Sequence, residues 1–187
     1  MGDRVYASIE IGGHLETIGE AETLIDALVR EVITFNHTDE KIACLEDGQT
    51  ALRTIIEAGK TFEGHEMEAN YGNFDELDAA ARELTNLWFS TTYEAGGGFP
   101  EGIKTFINGE QFRCQTSENR PVVSLPAIEE LLHKHRLGPD IVGELDALVA
   151  NAKRSAGIGL PPLTASPAVC AWLKIFGEKA VTCPPDL

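Results

Sequence analysis

Asn108-Gly109 stands between two short runs, Ile103 to Ile107 (IKTFI) and Glu110 to Gln115 (EQFRCQ), and it is the feature that most restricts the fold. Both residues tolerate the positive backbone angles of a type I′ turn, and a two-residue loop of that type returns the chain only as an antiparallel neighbour. Any fold must therefore contain an antiparallel ribbon over 103–115. Arg4 to Ile11 (RVYASIEI) alternates as well, with Val5, Ala7 and Ile9 on one face and Tyr6, Ser8 and Glu10 on the other, until Gly12-Gly13 is expected to end it. Lys41 to Leu45, Thr61 to Tyr71, Phe89 to Glu94 and Pro121 to Leu125 read as further strands.

Helical spacing separates these strands. Thr17 and Glu20 form a capping box ahead of Ala21, Leu24, Ile25, Leu28, Val29 and Val32, which predicts a helix near 20–33. Asp47 is expected to cap a helix over 49–58 that Gly59 stops. Asn73 is the expected cap of a third helix over 74–88, whose apolar stripe is Leu77, Ala81, Leu84, Leu87 and Trp88 and whose outer face carries Asp75, Asp78, Arg82 and Glu83. From Pro139 onward the pattern is helical, with 157–162 (GIGLPP) as a linker and Ser166-Pro167 starting a last helix. The expectation is an α+β fold: a mainly antiparallel sheet with helices packed on one face in residues 1–136, and a helical C-terminal extension, 137–187, packed on it.

A chain of 187 residues with 43% hydrophobic content can bury a core without disulfide or metal support. Its four cysteines, Cys44, Cys114, Cys170 and Cys183, include no CxxC pair, and Met1 to Tyr6 enters a strand-like run rather than an apolar signal segment. Free thiols in a reducing, cytoplasmic compartment are the expectation, and no apolar run approaches the roughly 20 residues that span a bilayer.

Charge is distributed unevenly. Residues 1–120 hold 23 Asp and Glu against 9 Lys and Arg, whereas residues 121–187 hold 7 against 6. An extended nucleic-acid interface relies on clustered cations that neutralise phosphates, so direct nucleic-acid binding is not expected. A basic protein surface is the partner such a chain fits. Glu66 and Glu68 on one strand face would stand roughly 6.6 Å apart, comparable to successive phosphates. Asp75, Asp78 and Glu83 would extend that patch into a nucleic-acid mimic. The plainer alternative is a solvated acidic face that serves solubility.

No other motif names a chemistry. Gly97 to Thr105 nearly spells a phosphate-binding loop, but Ile103 intrudes before Lys104 and the following residues alternate as a strand. His65-Glu66 begins like a zinc-protease helix, but position 69 is Ala and the segment reads as a strand on which His65 and Glu68 do not converge without a bulge. Neither a metal nor a cofactor is expected. A small enzyme remains the alternative, its site near the Gly96 to Gly98 loop and the 61–71 strand, drawing on His65, Glu66, Tyr93 or Cys114. A third possibility is a homodimer whose seam is formed by the C-terminal helices through Trp172, Leu173 and Phe176.

YASIEIGG and the stretch FDEL…AARELTNLWFSTTYEAGGGFPEGIKTFINGE resemble uncharacterised small proteins carried by bacterial phages and plasmids, over about half of the chain. In that group the part after the helix is rich in Arg, aromatic and acidic residues around a Pro-Glu pair. Pro100-Glu101 matches, but most of the Arg residues are missing here, and no functional motif carries over. The resemblance implies an accessory role in a mobile element.

Overall fold

The computed structural model describes residues 4–96, 98–117, 120–122, 128–130, 132–133, 141–156 and 159–175. In chain order these form β1 (Arg4–Leu15), α1 (Ile18–Arg30), β2 (Thr34–Phe35), β3 (Glu40–Lys41), α2 (Leu45–Ala58), β4 (Phe62–Asn70), α3 (Asp75–Glu83), β5 (Leu87–Tyr93), β6 (Gly102–Ile107), β7 (Glu110–Ser117), β8 (Arg120–Val122), α4 (Ile141–Ala156), β9 (Leu163–Ala165) and α5 (Pro167–Lys174). The fold is α+β. One sheet runs in the order β3-β2-β4-β1-β5-β6-β7-β8, antiparallel throughout, and β9 joins the end of β1 in parallel.

The Asn108-Gly109 turn forms as its residues require, with φ of 53° and 79°, and it sets the β6–β7 register from Ile107 opposite Glu110 to Gly102 opposite Gln115. The capping box on α1 is complete, since Thr17 accepts from the Glu20 N–H while Glu20 Oε2 accepts from the Thr17 N–H. β1 does not stop at Gly12-Gly13 but continues to Leu15. Gly12 is needed there for space, because a Cβ would collide with the Pro161 carbonyl where the later chain crosses the strand.

Ala7, Ile9 and Ile11 on β1, Phe62 on β4, Phe89 on β5 and Phe106 on β6 face one layer of helices and are almost completely buried. Leu24, Ile25 and Leu28 of α1, Leu52 and Ile55 of α2, and Leu77 and Ala81 of α3 meet them. At about 1.5 to 3 kcal/mol for each large side chain removed from water, this core is the main stabilising term. Thr105 and Thr116, whose side chains point to the other face, are also buried, and α4 packs against β6, β7 and β8 on that side.

Several elements differ from the sequence reading. The strand expected at Lys41 to Leu45 is only Glu40–Lys41, and α2 begins at Leu45 with Cys44 as its cap. Asp47 lies inside that first turn and reaches back to accept from the Ala43 N–H at 3.1 Å. α3 ends at Glu83, so Leu87 and Trp88 belong to β5 instead of the helix stripe. The C-terminal part, expected to be helical apart from its linker, also contains β9, which pairs with β1, and Leu163, Val169 and Leu173 enter the common core. Leu173 is thus 1% exposed and unavailable to a dimer seam, and Trp172 packs half-buried against the same core. Phe176 lies outside the described residues.

Candidate functional site

Two concavities open near the N-terminus of α3, and both are set by residues between β4 and α3. The first, of about 410 Å³, lies where the end of α1, the end of β4 and the start of α3 meet, and Glu31, Glu66, Glu68 and Asp75 line it together with Arg4, Arg30 and Lys41. α1 reaches this point through a Schellman turn: Ile33 N–H donates to Leu28 O and Val32 N–H to Val29 O, with Val32 itself at φ 54°. A β-branched residue in that left-handed conformation is strained, and Val32 lines the cleft.

Glu31, the C-cap of α1, aims its Oε1 at the Glu76 N–H of α3, 2.6 Å away. It thereby supplies the cap that Asn73 was expected to give, since the actual N-cap, Phe74, has no capping side chain. Burial raises the Glu31 carboxyl above its usual range, and the charges of Asp75, Glu76 and Asp78 push in the same direction against the hydrogen bond from Glu76. Arg4 is paired with Glu68 at 2.9 Å, and Arg30 with Asp26 at 2.9 Å and Glu76 at 3.5 Å.

The acidic strand face is not regular. Ala7 pairs with Glu66 but Val5 pairs with Ala69, so β4 carries one extra residue, and this bulge breaks the even spacing expected of Glu66 and Glu68. Glu66 Oε1 turns back onto the Glu68 N–H at 3.1 Å. Asp78, expected on the outer face of its helix, points inward instead. Its Oδ2 lies 2.7 Å from Lys104 Nζ, with the two side chains 15% and 0% exposed. Glu83 is exposed at the far end of α3, away from the cleft.

The second concavity, of about 520 Å³, is walled by Tyr71, Tyr93 and Phe99 and edged by Asn73, Arg113 and Gln115. Asn73 Oδ1 accepts from Lys104 Nζ and from Arg113 Nη2, each at 3.3 Å. The rings are held close to backbone that lacks side chains: a Cβ on Gly72 or Gly102 would strike Tyr93, and one on Gly96 would strike Phe99. Burial raises the Tyr93 phenol above its usual range, and nearby Arg113 opposes that shift.

The alternative enzyme set is dispersed. Tyr93 and Cys114 line the aromatic cleft, Glu66 lines the acidic one, and His65 stands in neither, hydrogen-bonded through Nδ1 to Asn36 Oδ1 at 2.6 Å and beside the Tyr6 ring. Among the described residues no group of three or more His, Cys, Asp or Glu is placed to hold a metal, and no helix is long and apolar enough to cross a membrane. Tyr71, Phe99 and Arg113 are not singled out by the sequence, whereas Asn73 reads there only as a helix cap and Glu31 only as part of the acidic surface near the first helix. The available signal was the recurrence of Gly beside aromatic residues, at Tyr71-Gly72 and from Tyr93 to Gly102. No protein-family model, curated protein or solved structure matches the chain.

Proposed function

We propose that this is a non-enzymatic binding protein whose acidic surface engages a basic protein surface, and that a Lys or Arg side chain of the partner enters the cleft at Glu31, Glu66 and Asp75. The observation that carries this reading is the convergence of those carboxylates on one concavity while Arg4 and Arg30 are held by other acids. A guanidinium or ammonium placed there would relieve the repulsion among Glu31, Asp75 and Glu76, and the net charge of −15 would speed its approach. A partner that itself handles nucleic acid has the required basic surface. An accessory role in a mobile element, exercised in the cytoplasm, fits the same reading.

The test is capture of partners from host lysate at low and high salt by the wild type and by Glu66→Lys/Asp75→Lys. Asp78 is left intact because its loss would strand Lys104. The expected result is a basic partner retained at low salt, released at high salt and not captured by the variant. A partner held equally well by the double reversal would overturn the proposal.

A further inference from the structure

We infer that the cleft between Tyr71, Tyr93 and Phe99 is a binding site for a small carboxylate that carries an aromatic ring. Charge is the first argument. In a chain of net −15, Arg113 brings a cation to the rim of this cleft and has no carboxylate within ion-pair distance among the described residues; Lys41, Arg53, Lys60 and Arg82 share that state, but none of them lines the cleft. The Arg113 side chain is exposed and hydrogen-bonds to the neutral Asn73. Lys104 Nζ holds the same oxygen from behind, so Asn73 is fixed as an acceptor for both cations and the Arg113 fork keeps donors for a ligand. A planar guanidinium with free N–H groups matches a carboxylate through two parallel hydrogen bonds.

The walls supply the second argument. Phe99 lies between Tyr71 and Tyr93, with ring centroids 5.9 and 6.1 Å away and planes inclined at 58° and 52°. Three glycines make room for this arrangement, so the aromatic surface is built by the fold and needs no ligand to assemble it. Tyr71 is 48% exposed and sits at φ 52°, a left-handed conformation that a bulky residue adopts only when its surroundings impose it. An aromatic ligand would cover that ring in tilted or offset contact. Tyr93 Oη makes no hydrogen bond among the described residues, and its phenol remains protonated at neutral pH, so it is a donor available to the second carboxylate oxygen. The volume of about 520 Å³ accommodates a one- or two-ring acid. A phosphate dianion suits the site less well, because one guanidinium must then balance two charges in a strongly acidic molecule.

Titration calorimetry of the full chain with benzoate, 4-hydroxybenzoate and indole-3-acetate, each beside its amide, tests the inference. At least one acid should bind, its amide at least tenfold more weakly, and Arg113→Gln should weaken the acid at least tenfold. Tyr93→Phe should weaken it severalfold, and Glu66→Lys/Asp75→Lys should bind it as the wild type does, which keeps this site separable from the acidic cleft. Absence of binding for all three acids, equal binding of acid and amide, or full affinity in Arg113→Gln would each overturn it.

Discussion

At the scale of single residues, the Asp78–Lys104 pair shows how far a local sequence can mislead. Lys104 is fully buried, and desolvation lowers its pKa against the opposing effect of Asp78. Asp78→Ala leaves that ammonium uncompensated and is expected to cost about 3 kcal/mol. Lys104→Met leaves a carboxylate that still reaches solvent and should cost less. Urea unfolding of both variants at pH 7 checks the order, and equal losses would show that the buried ammonium is not the vulnerable group. Glu10 presents the opposite case. Burial and the carboxylate of Glu63, its direct cross-strand neighbour, raise its pKa above 4.5. Between 4.5 and that raised value the folded state binds more protons than the unfolded state, so stability is lost as pH rises through the window. Glu10→Gln should therefore raise Tm at pH 7, less so in high salt, and leave it nearly unchanged at pH 4. An equal gain at pH 4 would refute the electrostatic cause.

At the scale of elements, the contact between α1 and α2 depends on Gly48. A Cβ at that position would collide with the Ile25 side chain, so the two helices meet at a distance only glycine permits. Gly48→Ala improves helix propensity by about 1 kcal/mol but overpacks the contact by about 1 to 3 kcal/mol, and a net loss is expected. In an Ile25→Ala background the same substitution should become neutral or stabilising. A double-mutant cycle by thermal melting decides, and additive effects would mean that the clash is relieved elsewhere. The elements that could be read correctly carry their own signals. Thr17 with Glu20, Asn108-Gly109, and Ser166 with Pro167 each satisfy or direct backbone groups within a few residues. β2 and β9, of two and three residues, contain no comparable signal, and their hydrogen bonds come from β4 and β1.

At the scale of the whole molecule, the C-terminal segment is part of the fold and not an appendage. α4 lies against the outer side of β6 to β8, residues 159–162 cross β1 at Gly12, and β9 and α5 then return to the helix layer, where Leu163, Val169 and Leu173 are buried. Losing those three side chains removes roughly 5 kcal/mol or more of burial, a large part of a typical domain's stability. A chain ended after residue 158 should lose its cooperative thermal transition by circular dichroism. Retention of a sharp melt would instead show that the remainder folds without these residues.

By itself the sequence determined the α+β class, the 103–115 hairpin, the first helix and the acidic balance, because each depends on periodicity, on capping within one turn or on composition. Tertiary structure decided the rest: that Leu87 and Trp88 turn from helix to strand, that a bulge separates Glu66 from Ala69, that Asp78 faces Lys104, and that Arg113 meets Tyr71 and Phe99 across a cleft. Those outcomes hang on residues 14 to 76 positions apart in the chain, which only the register of the sheet brings together. No local pattern contains that register.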